Sequence, residues 1–94
     1  MKLFNFIITY DIADAKRLRR VAKSLEKVAI RIQYSIFFYK DASKEDIVEI
    51  VKILEEIIDK EADDVRIYKA NISKSLHLKS GIDLKHPNII GAVS

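Results

Sequence analysis

Apolar residues recur along this chain with two periods, one of two and one near 3.6, and they alternate from segment to segment. Residues 3 to 10, Leu-Phe-Asn-Phe-Ile-Ile-Thr-Tyr, are aromatic and β-branched and short enough for a strand. Phe4, Phe6, Ile8 and Tyr10 share one side; Leu3, Asn5, Ile7, Thr9 and Asp11 share the other. Both sides are fairly apolar, the signature of a strand covered on both faces. From Asp14 the period changes. Leu18, Val21, Ala22, Leu25, Val28 and Ala29 follow helical spacing, and Lys16, Arg17, Arg19, Arg20, Lys23 and Lys27 fill the remaining arc. Either Asp14 caps this helix, or Asp11 caps it with Asp14 near the positive end of its dipole.

Residues 30 to 39 return to the β pattern. They are long for one strand, and the polar centre Gln33 to Ser35 allows a bend into two short ones, although no Gly or Asn-Gly pair marks a turn there. Ser43-Lys-Glu-Asp predicts a helix start of capping-box type with Asp46 at N3. Ile47, Ile50, Val51, Leu54, Ile57 and Ile58 form the expected buried stripe. Asp63-Asp64 is read as the end of this helix. Val65 to Ala70 form another β run. Beyond Asn71 the pattern weakens: Leu76, Leu78 and Ile82 suggest one more strand, followed by a tail from His86-Pro87.

The order strand, helix, β region, helix, strand predicts an α+β, ferredoxin-like βαββαβ sandwich if residues 30 to 39 supply two strands. Its helices would cover one sheet face and leave the other bare, with Leu3 and Ile7 on it. Ninety-four residues without a repeat or linker suit one domain over 1–94, with residues 71–94 as a C-terminal strand and tail. A chain this short builds a thin core, so self-association is expected.

Charge and composition narrow the chemistry. The net charge is +3, but residues 15 to 40 carry +7 and residues 41 to 64 carry −7. Such a basic stretch is either a phosphate-binding footprint or a solvated helix face. Without cysteine there is no disulfide framework, thiolate zinc site or cysteine nucleophile, and two histidines are too few for an all-histidine metal cage. The only glycines, Gly81 and Gly91, form no phosphate loop, and His77 and His86 have no serine partner in the strongly patterned region. No apolar run approaches the ~18 to 20 residues of a membrane span. The expectation is an intracellular, cytoplasmic protein without a membrane partner. Asp11, at the end of the first strand, is left as a candidate ligand for a hard divalent cation such as magnesium. The alternative is that it only opens the turn or caps the helix.

Four segments then come together. Tyr10-Asp11-Ile12 with Asp14, Lys16-Arg17-Leu18-Arg19-Arg20-Val21, Arg31-Ile32-Gln33-Tyr34-Ser35-Ile36-Phe37 and Asp64-Val65-Arg66-Ile67-Tyr68 resemble the small CRISPR-associated endonuclease family, the second core protein of spacer acquisition. The resemblance runs from about residue 3 to residue 70. It implies a homodimer joined through its sheet faces, with a C-terminal strand added to the partner subunit. It also implies a magnesium-dependent endonuclease acting on RNA or double-stranded DNA, and a CRISPR integrase as partner. Carried over by residue, Asp11 is the metal-binding acid, Tyr10 its neighbour in the catalytic segment and Phe37 an aromatic position tied to activity. Arg17 and Arg31 meet phosphates, with Lys16, Arg19 and Arg20 in the same basic patch. Ala29 departs from the glycine often found before the Arg-x-Gln-Tyr-Ser segment, and residues 71 to 94 match poorly. A second possibility is a stand-alone virulence-associated ribonuclease toxin of the same fold. A third is a non-enzymatic RNA-recognition or sensing module, which lacks support because no glycine precedes Gly81.

Overall fold

The computed structural model describes residues 2–70, which run β1 (Phe4–Asp11), α1 (Ala15–Glu26), β2 (Ile30–Gln33), β3 (Ile36–Ala42), α2 (Lys44–Ile57) and β4 (Asp64–Ala70). The strands form one sheet in the order β2-β3-β1-β4, every neighbouring pair antiparallel. This is the expected α+β, ferredoxin-like arrangement. The strand proposed within residues 76 to 82, the tail and both histidines lie outside the described residues.

Local chemistry explains most boundaries. Asp14 is the N-cap of α1, its carboxylate accepting from the Arg17 amide at 2.9 Å, so the choice between Asp14 and Asp11 falls to Asp14. Asp11 instead ends β1. The α1 helix stops at Glu26, which leaves Val28 exposed rather than on the buried stripe. Residues 30 to 39 do divide: Tyr34 and Ser35 turn between β2 and β3, and β3 runs on to Ala42. The capping box of α2 forms as expected, with the Asp46 amide donating to Ser43 Oγ at 3.0 Å and the Ser43 amide to Asp46 Oδ2 at 2.9 Å. That helix ends at Ile57. Asp63-Asp64 therefore does not terminate it: Asp63 closes the following turn and Asp64 opens β4.

The core lies between the helices and one sheet face. Ile8, Tyr10 and Phe37 of the sheet pack with Val21 and Leu25 of α1 and Ile50 and Leu54 of α2. On the opposite face the expectation of a bare apolar surface needs correction. Ile7 is only 2% exposed; it sits in register between Phe38 of β3 and Tyr68 of β4, and it clusters with buried Ile36 and Ala70, against which Ile32 and Tyr68 pack. Leu3 does remain exposed.

Candidate functional site

Strand alternation determines where Asp11 points. Ile7, Thr9 and Asp11 alternate onto the helix-free face, and β4 pairs Arg66 with Thr9 and Asp64 with Asp11. Two carboxylates thus stand at facing positions at one end of the sheet. Asp64 is held by Arg66, whose Nε donates to Oδ2 at 2.9 Å. Asp11 is exposed, and no hydrogen bond or ion pair ties its carboxylate to the other described residues. Hard oxygen donors of this kind suit magnesium, but no three acidic or histidine side chains gather into one metal-binding group among the described residues.

Behind Asp11 lies a knot that sequence reasoning missed. The Asp63 side chain is fully covered, at 0% exposure, and its carboxylate accepts four hydrogen bonds. Arg17 donates from Nε to Oδ2 at 2.7 Å and from Nη2 to Oδ1 at 3.2 Å. The Ala13 amide donates to Oδ1 at 2.8 Å, and the Asp59 amide to Oδ2 at 2.9 Å. The Arg17 guanidinium, seconded by the two backbone amides, holds the Asp63 carboxyl well below the usual carboxylate range. Residue pairs 46 and 50 positions apart carry no local spacing signal, which is why the sequence read Asp63 only as a helix end.

Tyr10 and Phe37, expected in the catalytic segment, are both buried and present no surface to a substrate. They brace what surrounds them. Their rings stack at 6.1 Å, the Tyr10 hydroxyl donates to the Tyr34 carbonyl at 3.3 Å, and burial pushes the Tyr10 hydroxyl pKa up. The Arg31 guanidinium lies 5.1 Å from the centre of the Phe37 ring, a cation–π contact that holds it over the core. Arg31 also reaches Glu26 at 3.4 Å.

The basic residues divide into two groups. Lys16, Arg19, Arg20 and Arg31 line one open cavity of about 500 Å³ with Lys23 and Glu26. Arg17 does not line it. The structure commits two of its donors to Asp63, where the family resemblance had implied a phosphate contact. Arg31 pairs in register with Phe37, so this cavity belongs to the helix side of the sheet and Asp11 to the other. The structure therefore gathers the cationic residues but does not bring them together with the carboxylate.

Residues 4–75 match the family model described as CRISPR associated protein Cas2. The chain belongs to the Cas2 family. A relative from Nitrosomonas europaea named CRISPR-associated endoribonuclease Cas2 1 is 38% identical over 64 residues, spanning 68% of this chain and 60% of the relative. One from Synechocystis, CRISPR-associated endoribonuclease Cas2 3, is 38% identical over 66 residues, 70% of this chain and 71% of its own length. Among solved structures, Streptococcus pyogenes Cas2 superposes with a TM-score of 0.63 at 33% identity, covering 68% of this chain and 82% of that one. A hypothetical protein of Thermus thermophilus reaches a TM-score of 0.71 over 74% of this chain and 84% of its own; at 23% identity that likeness concerns the fold. The Cas2 match spans the four-strand, two-helix unit that carries Asp11, Asp63 and the basic cavity. No described helix is long and apolar enough to cross a membrane.

Proposed function

We propose that this Cas2-family chain is a divalent-cation-dependent endonuclease, cutting RNA as the names of its relatives indicate, and that it works as a homodimer. The observation that carries this reading is Asp11: an exposed carboxylate without a described partner at the end of β1, on the sheet face away from the helices. Asp11 would hold the ion, and the partner subunit's Asp11 would add to a ligand set that the described residues of one chain leave short. Bound magnesium supplies charge neutralisation at the phosphodiester and a more acidic water.

The chain's own residues do the rest. Lys16, Arg19, Arg20 and Arg31 neutralise backbone phosphates along the flank, independent of sequence and weakened steeply by salt. Arg66 holds Asp64 back, leaving Asp11 free. Because the cavity and Asp11 lie on opposite sides of the sheet, holding and cutting are separable tasks. That separation supports a further role in which the dimer carries double-stranded DNA on its flanks and scaffolds the CRISPR integrase during spacer acquisition.

The test is cleavage of single-stranded RNA and of double-stranded DNA with magnesium and with chelator. Asp11→Ala should abolish cleavage and leave nucleic-acid binding intact. Undiminished cleavage by that variant removes Asp11 from the mechanism. A monomer by sedimentation would remove the dimer, and failure to copurify with a CRISPR integrase from the same cell would remove the scaffold.

A further inference from the structure

We propose that Arg17 and Asp63 form a clamp that positions Asp11, so that Arg17 serves cleavage through Asp63 and not by holding substrate phosphate. The inference rests on the nuclease reading above. It also reassigns Arg17, a residue that the family resemblance grouped with the phosphate contacts.

The geometry of the pair is that of an internal fastener. Arg17 meets Asp63 through two nitrogens, the planar fork-to-carboxylate arrangement that gives direction as well as attraction. The remaining lone pairs of Asp63 take the amides of Ala13 and Asp59. One side chain thereby ties the β1–α1 connection, the first turn of α1 and the turn before β4. Asp11 is two residues from Ala13, and its register partner Asp64 directly follows Asp63. Both strand ends that set the direction of the Asp11 carboxylate are thus anchored to the same group.

Burial argues the same way. With Arg17 in place the Asp63 side chain has no exposed surface, and loss of Arg17 would leave its carboxylate with only the two amide donors. Arg17 is separate from the cationic cavity, which has four basic side chains besides Arg31 without it. A phosphate there would be met by Lys16, Arg19, Arg20, Lys23 and Arg31.

The experiment compares Arg17→Ala, Arg17→Lys, Asp63→Asn and the Arg17→Ala/Asp63→Asn double variant in the full chain, with Arg19→Ala as the phosphate-contact reference. The clamp predicts that each clamp variant lowers kcat by roughly ten- to a hundredfold, the usual cost of losing a supporting partner, with KM unchanged. The double variant should be no worse than the poorer single. Arg17→Lys decides most directly: it keeps the charge a phosphate needs and loses the fork, so it should behave like Arg17→Ala.

Two readouts do not depend on turnover. Exchange of the Ala13 and Asp59 amides should quicken in Arg17→Ala and Asp63→Asn. Binding of single-stranded RNA in chelator should keep its salt slope in the clamp variants, while in Arg19→Ala the slope of log K against log salt should shrink by about 0.7, the share of one phosphate contact. A KM raised above wild type together with a lost salt slope in Arg17→Ala, near-normal kcat in Arg17→Lys, or unchanged amide exchange would each overturn the clamp. If the wild-type chain does not cleave, the nuclease reading fails by itself. The exchange and salt-slope measurements then still decide whether Arg17 is a clamp or a phosphate contact. If Asp63→Asn does not fold, the Arg17→Lys comparison carries the test.

Discussion

Phe37 shows how one side chain can serve a site without touching substrate. It is completely buried, stacks on Tyr10 and carries Arg31 above it. Phe37→Ala should cost about 3 to 5 kcal/mol from the lost contacts and the cavity left behind, measured by urea unfolding. Phe37→Leu should recover most of that stability but not the cation–π contact, so nucleic-acid binding should stay weaker than wild type. Equal binding in wild type and Phe37→Leu would show that the ring is not what holds Arg31 in place. Asp11 could be picked out from the sequence as the carboxylate at the end of the first strand, and Arg31 and Phe37 because they fall within a string that resembles the family. Asp63 could not, since its partners are distant in the chain and the neighbouring Asp64 looks identical to it in the sequence.

At the scale of elements, boundaries written in local hydrogen bonds were readable and those set by pairing were not. Ser43 and Asp46 announce the start of α2, and the structure forms both bonds of the box. The division of residues 30 to 39 had no glycine to mark it; it depends on β3 pairing with both β1 and β2. A similar non-local feature occurs where β3 leaves the sheet. Its register with β1 shifts between Phe4 and Phe6, and Asp41 there adopts φ 54°, with its amide donating to Asn5 Oδ1 at 2.9 Å. An exposed β-branched residue cannot take that conformation cheaply. Asp41→Val should therefore lower stability by about 1 to 2 kcal/mol despite its place in a strand, where valine is otherwise favoured. A thermal midpoint equal to wild type would show that the bulge relaxes around the substitution.

For the whole molecule, the Arg17–Asp63 pair joins the basic stretch to the acidic one and gives folding a defined acid sensitivity. Asp63 has its carboxyl pKa lowered in the folded chain, mainly by Arg17, so its contribution is complete above the ordinary carboxylate pKa and is lost as the pH falls toward the folded value. Thermal midpoints recorded from about pH 5 down to about pH 2 should fall for wild type, and Asp63→Asn should flatten part of that fall. Parallel curves for the two proteins would place the acid sensitivity elsewhere.

The sequence by itself determined the element order, the cap of α2, the amphipathic faces, the basic stretch and Asp11 as the one carboxylate worth pursuing. All of these depend on neighbours within a few positions, where periodicity and side-chain chemistry act directly. Only the tertiary structure decided that Ile7 is buried in register with Phe38 and Tyr68, that the cationic cavity and Asp11 face opposite sides of the sheet, and that Arg17 is engaged by Asp63. Those outcomes depend on which strands pair and in what register, and a one-residue slip would send every side chain of a strand to the other face.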